Sequence, residues 1–408
     1  MDARLCPACG KSNREQARFC GHCGHPLEQR QRLSFHGSPR SLFGIFIVNV
    51  FLTIFTLGLY RFWGKVRVLR YLLSQTEFAE DRFSYHGTGK ELLIGFLKIA
   101  LVFGLPFIGL RILQELPSVW VVIRIVAAVL AVVLGFVFLP LAIVGARRYR
   151  LSRTAWRGIR FSFRGRAVDF LKLFVKGTLL TVLTVGLYYP VFATRQYHFL
   201  TSHSYFGHRS FHFDGRARDL WGIYGTALLL SLLAPLLPFL LSPLSNYVLA
   251  LLFVLPILGL FWRDVFSDYI PALVLVLLAL LLFFLLSSLS SDVLAFLPVL
   301  PILGVIWFWF FTKKRVYYWN HTSFATARFH STLPVGRYLL FELKNLFLLV
   351  ATLGLSWPWV VVRHAHFAFA YLTLDGPLDL ADVQQEVQAL PDTGAGFLSF
   401  LEMDFDLG

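Results

Sequence analysis

The chain has 408 residues, of which 57% are hydrophobic, 16% aromatic and 15% charged, and its mean hydropathy is +0.65. A soluble domain carries roughly 25% charged residues, so this chain lacks the polar surface that water requires, and an integral membrane protein is expected. The formal net charge of +15 lies in segments connecting apolar stretches, where the positive-inside bias of cytosolic loops explains it better than nucleic-acid binding does.

The N-terminal segment to Ser41 is polar and has no apolar h-region, so it does not read as a signal peptide. All four cysteines fall in CPACGKSNREQARFCGHCG, as Cys6, Cys9, Cys20 and Cys23. Two Cys-x-x-Cys knuckles, each followed by a glycine (Gly10, Gly24), offer four thiolates to one tetrahedral zinc. Redox dithiols are the alternative. His22 and His25 flank the last knuckle and are surplus to four thiolates. A reduced zinc site also implies a cytosolic N-terminus.

Beyond the ribbon the chain repeats itself. Phe-x-aromatic-x-Gly appears as FSYHG (83–87), FSFRG (161–165) and FHFDG (211–215), with a looser LSFHG at 33–37. A hydroxyl residue precedes each later phenylalanine at constant spacing: Thr76, Thr154, Ser204 and Thr322. Alternating polar and aromatic residues around a short turn predict β-hairpins. Helix starts follow, with Thr88 and Glu91 as a capping box and Ser38–Pro39 as an N-cap with proline at the first helical position. The aromatics serve the hairpin core or a headgroup-level anchor better than base stacking.

Six windows exceed the ~18 apolar residues of a membrane span: Leu92–Leu110, Val119–Ala146, Leu220–Leu241, Leu244–Trp262, Tyr269–Leu286 and Val293–Phe311. Residues 224–262 align without gaps on 269–307, sharing Pro-Ile-Leu-Gly and the terminal Trp262 and Trp307, so a span pair is duplicated. Three further stretches are less purely apolar and end in a Thr-x-Gly-Leu break: Thr56, Gly58 and Tyr60; Thr184, Gly186 and Tyr188; Thr352, Gly354 and Trp357. Each break is expected to end a membrane helix and turn the chain into an interfacial helix. Glycine permits the turn, threonine satisfies a freed carbonyl, and the aromatic anchors at the headgroups. If these stretches span, the repeat is inverted and the arginine-rich segment 147–166 lies outside. If they re-enter, every basic hairpin is cytosolic. The second arrangement is preferred, because both copies stay basic.

The expected fold is mainly α: a polytopic membrane helical bundle with internal repeats, short cytosolic β-hairpins and a small N-terminal zinc ribbon with four cysteine ligands. The expected domains are a ribbon (1–27), a linker (28–40) and a membrane domain (41–374). That domain holds repeat units at about 33–150 and 161–320 and a partial third unit at 327–374. An acidic tail (375–408) follows, with no Lys or Arg after Arg363.

With TLGLYRFWGKVRVLRY, FSYHGTGKELLIGFL, TVGLYYP and NHTSFATARFHSTLPVGRYL in hand, the chain resembles the YjgN family from about Leu33 onward. The ribbon and the duplicated span pair depart from the basic family pattern. The resemblance implies a multi-pass protein of the bacterial inner membrane and of uncharacterised activity, and it transfers no catalytic residue. Repeats and broken helices favour a transporter-like or lipid-handling bundle, although no Asp or Glu lies deep in a clear span. Lys98 and Arg124, the charges at membrane depth, read as snorkelling side chains. The alternative is a membrane-anchored sensor or scaffold that meets a cytosolic protein through its zinc ribbon and hairpins. An enzyme would have to rest on His198, His203, His208 and His212, whose uneven spacing and missing carboxylate pair argue against it. The bilayer is the expected partner, structural zinc the expected cofactor, and the substrate is unknown.

Overall fold

The computed structural model describes residues 4–5, 9–13, 20–24, 30–116, 120–236, 299–376 and 383–385. Two compact units divide the chain: residues 1–218 with 315–408, and residues 219–314. Strands β1 (Arg4–Leu5) and β2 (Ser12–Asn13) belong to the ribbon. In the first unit ten further short strands close into an antiparallel barrel. They are β3 (Arg30–Phe35), β4 (Thr76–Phe78), β5 (Asp81–Tyr85), β6 (Thr154–Trp156), β7 (Ile159–Phe163), β8 (Ser204–Phe206), β9 (Arg209–Phe213), β10 (Thr322–Phe324), β11 (Ala327–Ser331) and β12 (Leu372–Asp375). The last strand closes on the first, with Thr373 opposite Arg32.

This overturns the expected helical bundle. The hairpins are not isolated appendages but one sheet, and among the described residues only three helical stretches are long and apolar enough to cross a membrane: Gly89–Glu115, Val121–Arg153 and Ala217–Leu236. The physical reason is edge pairing. A lone hairpin leaves two rows of unpaired backbone groups, and closure removes them. Pairing partners such as Phe35 and Thr76 are separated by a whole helical hairpin, so local alternation could not reveal it.

Each β4-type strand joins its neighbour through a two-residue turn, whose first residue adopts positive φ at Ala79, Arg157, Gly207 and Ala325. This geometry matches the twist of a hairpin. At the other rim the chain passes from strand to helix by one repeated connector. Phe35 pairs with Thr76, Tyr85 with Thr154, Phe163 with Ser204, and Phe213 with Thr322. Each hydroxyl donates to a carbonyl of the helix before it: Thr76 to Leu72, Thr154 to Arg150, Ser204 to Leu200, Thr322 to Tyr318. Each aromatic ring folds back over the glycine two residues on. A Cβ at Gly37, Gly87, Gly165 or Gly215 would lie 2.4, 2.6, 2.7 or 2.3 Å from that ring. The Phe-x-aromatic-x-Gly repeat is therefore a packing rule. At the fifth connector the sizes are exchanged, with Ser331 in place of the aromatic and Leu333 in place of the glycine.

Helices leave this rim in pairs. Helix α1 (Pro39–Phe55) starts at Ser38, whose hydroxyl accepts from the Ser41 amide, and α2 (Arg61–Ser74) runs back to β4. Next come α3 (Gly89–Ile99), a π-helical turn (Ala100–Gly104), α4 (Leu105–Glu115) and α5 (Val121–Arg153). The Thr88 hydroxyl caps Glu91 N, but the Glu91 carboxylate does not complete the box. It accepts from Arg153 at 2.9 and 3.1 Å and from Tyr149 at 2.9 Å, tying the start of α3 to the end of α5. The pair α6 (Ala167–Leu183) and α7 (Tyr189–Ser202) follows. Helices α8 (Ala217–Leu233) and α9 (Val299–Asn320) flank the duplicated region, most of which lies outside the described residues. In the second unit they meet through Tyr224, 5.6 Å from Phe310 and 6.3 Å from Trp307. The last pair is α10 (Val335–Ala351) and α11 (Trp357–Ala370), and α11 lies beside α1, where Phe46 stacks on Trp357 at 5.5 Å.

The barrel lumen is aromatic. Trp156, Phe206 and Phe324 are buried in it, packed by Phe83, Phe161 and Phe211 from neighbouring strands, with Phe161 and Phe206 rings 4.8 Å apart. Val383, from the acidic C-terminal segment, is buried in the same cluster. Beside it the Gln384 amide donates to His208 and the Arg160 amide donates to the Gln385 side chain.

The exchanged connector yields a test. Gly215→Leu forces atoms into the Phe213 ring and is expected to cost about 2–3 kcal/mol, read as a lowered unfolding midpoint in detergent. Adding Phe213→Ser, the Ser331–Leu333 arrangement, should restore most of it. No recovery in the double variant would refute the packing rule.

Candidate functional site

The ribbon's thiols converge. Strands β1 and β2 pair antiparallel around the first knuckle. The Sγ atoms of Cys9, Cys20 and Cys23 all lie within 4.8 Å of one another, and Cys9 and Cys20 are 3.5 Å apart. Thiolates around one tetrahedral zinc stand about 3.8 Å apart, so the donor set fits that ion. The His22 amide donates to the Cys20 sulfur at 3.4 Å. Gly10 and Gly24 both take left-handed φ, +69° and +70°, bending each knuckle as a residue with a Cβ would not. Cys6 lies outside the described residues, as does His25, while His22 is exposed.

The three Thr-x-Gly breaks have one geometry. The residue after each threonine is left-handed, Leu57 at φ 51°, Val185 at 50° and Leu353 at 49°, and Gly58, Gly186 and Gly354 follow at 93°, 89° and 85°. The glycine amide reaches back to Thr53, Thr181 or Leu349, which makes each a Schellman cap with its apolar residue in the left-handed position. The Thr56, Thr184 and Thr352 hydroxyls donate to the carbonyl four residues earlier, each at 2.7 Å. The same hydroxyls accept from the amides of Tyr60, Tyr188 and Ser356. The helix after the break does not leave along a surface. It doubles back: the Asn49 amide donates to Gly64 O, and Tyr71 OH donates to Ser38 O. Tyr60 and Tyr188 each accept from an arginine two turns on, Arg67 and Arg195. In the third copy Ser356 takes the tyrosine position and Trp357 follows it. The tip residues Leu57, Val185 and Leu353 are 96%, 88% and 93% exposed.

Sequence reasoning missed a cavity of about 820 Å³ between the first and last helical hairpins. Its walls include Val50, Val68, Leu69 and Val361, with Gly64 and Asn49 at the first hairpin's contact. Among the described residues one carboxylate lines it, Glu342, 3.0 and 3.1 Å from His364 Nε2, while His364 Nδ1 lies 2.8 Å from Val360 O. Both ring nitrogens face oxygen acceptors, an arrangement that favours the imidazolium over the neutral ring. One turn on, the fully buried amide of Asn345 has no hydrogen-bond partner among the described residues. Glu342 and His364 could not be singled out from sequence, because 22 residues separate them and only the doubled-back hairpin joins them.

Residues 30–400 match a family described as a bacterial protein of unknown function, DUF898, and residues 4–27 match a zinc-ribbon domain. The chain belongs to the DUF898 (YjgN) family. The inner membrane protein YjgN of Escherichia coli K12 is 35% identical over 129 residues, which is 32% of this chain and 30% of that protein. YjgN of Escherichia coli O157:H7 is 33% identical over the same shares, and that of Salmonella typhimurium is 27% identical over 133 residues, 31% of its length. The chain thus matches about a third of the length of these curated relatives. No solved structure matches.

The four histidines of this DUF898 chain form no group able to hold a metal. His203 bonds to Phe199 O, His208 accepts from Gln384, and His198 is held below the ordinary imidazole range by burial and then by His212 and His203. Among the described residues the three cysteines are the one cluster able to hold a metal. Fresh protein purified under reducing conditions is expected to carry one zinc per chain by elemental analysis. Cys20→Ser should reduce it to near zero without removing the protein from the membrane fraction. A zinc content near zero in the unaltered chain would overturn the assignment.

Proposed function

We propose that this chain is a bacterial inner-membrane protein that binds a membrane-derived amphiphile between its first and last helical hairpins. The observation that carries this reading is the cavity of about 820 Å³, within the roughly 300–1,000 Å³ that accommodates one small ligand. It opens between hairpins whose tips are apolar. In water an exposed leucine or valine in left-handed backbone is doubly unfavourable, but at a hairpin tip in hydrocarbon the side chain is solvated by lipid. The threonine hydroxyls then satisfy amides that no water can reach. In this reading the α3–α5 pair crosses the membrane and the Thr-x-Gly hairpins re-enter. The barrel lies on the cytosolic face with the ribbon, where Cys6 joins Cys9, Cys20 and Cys23 on zinc.

The second copy provides a designed blockade. Gly177 there faces Phe192, a Cβ at Gly177 lying 2.0 Å from the ring, where the first copy has Asn49 and Gly64. The double variant Asn49→Gly/Gly64→Phe therefore narrows the cavity with packing the fold already uses. Lipid extracted from purified protein and measured by mass spectrometry should fall from about one molecule per chain to background. Unchanged bound lipid in the folded double variant would sink the proposal. Orientation has its own test: cysteines replacing Glu80, Ser210 or Thr326, all exposed in the barrel, should react with an impermeant thiol reagent only after permeabilisation. Labelling in intact cells would place the barrel outside.

A further inference from the structure

We infer that the mouth of the barrel on its turn side, opposite the helices, is a peptide-binding socket. It recognises an extended acidic segment through one aliphatic side chain, and the chain's own residues 383–385 occupy it in cis. The occupant comes from across the ring. Strand β12 ends on the turn side at Asp375, opposite Arg328, and Gly376 there takes φ 116°. Strand β7 is the fifth from β12 in either direction round the barrel, yet the Gln385 side chain accepts from the Arg160 amide on β7 at 2.6 Å. Val383, two residues earlier, is buried with Trp156, Phe206 and Phe324 in the aromatic lumen. An aliphatic side chain sunk in an apolar pocket anchors a peptide, and hydrogen bonds beside it set the register. The Gln384 amide supplies one, to His208 at 3.3 Å.

The turn beneath this segment is built for it. The first residue of each two-residue turn is left-handed, at φ 47° for Ala79, 51° for Arg157, 58° for Gly207 and 51° for Ala325. Ala79, Arg157 and Ala325 carry a side chain in that conformation, so the backbone alone does not call for glycine at 207. The segment does. A Cβ at Gly207 would lie 2.5 Å from Gln384 O and 2.9 Å from Val383 Cγ1, a close approach that only glycine allows. The next residue, His208, accepts from the same segment, whereas its counterparts in the other turns are Glu80, Gly158 and Thr326. Both departures from the repeated turn fall where the segment passes. Charge favours an acidic ligand. The hairpins β6–β7 and β8–β9 hold Arg157, Arg160 and Arg209 and no carboxylate. Arg157 is taken by Asp81, while Arg160 meets Gln385, which Glu386 follows in sequence, and Asp382 precedes Val383. One apolar side chain and a few hydrogen bonds make a weak contact between separate chains. Within one chain the tether sustains it, through an effective concentration on the order of millimolar. A socket closed that way exchanges its occupant for another protein's segment of the same chemistry.

The test uses the full-length chain in detergent and a fluorescent peptide of residues 379–388, with binding read by anisotropy. The unaltered chain should bind it poorly, because the tethered segment holds the mouth. Val383→Asp puts a carboxylate into the aromatic lumen and should unseat that segment, so that the peptide binds about tenfold or more tightly than to the unaltered chain. Should this variant fail to fold, Gln384→Pro, which removes the amide that His208 accepts, should open the mouth likewise. Adding Gly207→Ala to either variant should abolish binding without loss of the fold, since Ala79 and Ala325 stand at nearly the same φ in sister turns. A peptide with Asp382→Asn and Glu386→Gln should bind severalfold more weakly at low salt. Absence of binding by both unseated variants, or binding that survives Gly207→Ala, would overturn the socket. Equal affinity of the neutralised peptide would overturn the acidic preference. A dimer of the unaltered chain that Val383→Asp dissolves would assign the seated segment to exchange between two copies and overturn the separate partner.

Discussion

Closure of the ten-stranded barrel is the constraint on which the rest depends. Its strands are three to six residues long, too short for any hairpin to hold alone. Each needs neighbours on both sides, and where one neighbour follows through a two-residue turn the other lies across an intervening helical segment, while β12 and β3 meet from opposite ends of the chain. The repeated connector makes such distant pairing reliable. Ring over glycine sets the exit angle, a hydroxyl opposite the ring caps the previous helix, and the next amide bonds to the carbonyl at that helix's end: His36 to Gln75, His86 to Arg153, Arg164 to His203, Asp214 to His321 and Thr332 to Tyr371. The arginine-rich run finds work here too. Arg70 and Arg148 donate to Gly87 O and Gly165 O, so part of the positive charge is engaged in stapling helix to connector.

In the membrane reading proposed above, the break residues meet a solvent that is not water. A Schellman cap ordinarily places glycine in the left-handed position, yet here leucine or valine occupies it and glycine comes next. The strain of a β-branched residue such as Val185 at φ 50° costs about 1–2 kcal/mol. In that reading lipid around an apolar tip offsets the cost, and a polar tip residue would lose the offset. The threonine hydroxyl, donating backward and accepting from the incoming helix, completes the local hydrogen bonding that a tip in hydrocarbon requires.

Much of this was legible in the sequence because it is local. The Cys-x-x-Cys knuckles, the Phe-x-aromatic-x-Gly repeat, the phased hydroxyls and the Thr-x-Gly breaks all lie within eight or so residues of the partner that explains them. The barrel was not legible, since each strand's second neighbour is a helical hairpin away and three to six alternating residues carry no sign of which strand that will be. The direction of the helix after each break was likewise hidden. Arginines and aromatics at helical spacing suit an interfacial helix and a returning helix equally, and only contacts such as Asn49 to Gly64 decide. The Glu342–His364 pair is legible to neither period nor motif.

The position of the cavity follows from the asymmetry of near-identical copies. A ring of equal hairpins with equally filled contacts would leave no room for a ligand. In the second copy Phe192 occupies the groove against Gly177, and α5 packs alongside through Phe136 on Phe174 at 5.2 Å. In the first copy the large residue is the shorter Asn49 and its partner is Gly64, so the contact is thinner by most of a phenyl ring. That thinner hairpin stands at the seam where β12 closes on β3 and where α11 meets α1. The same closure that satisfies the last strand edge therefore brings the least filled hairpin against the one carrying Glu342 and His364. A gap located where the barrel must join its own ends is what a binding site built by duplication and local divergence would be.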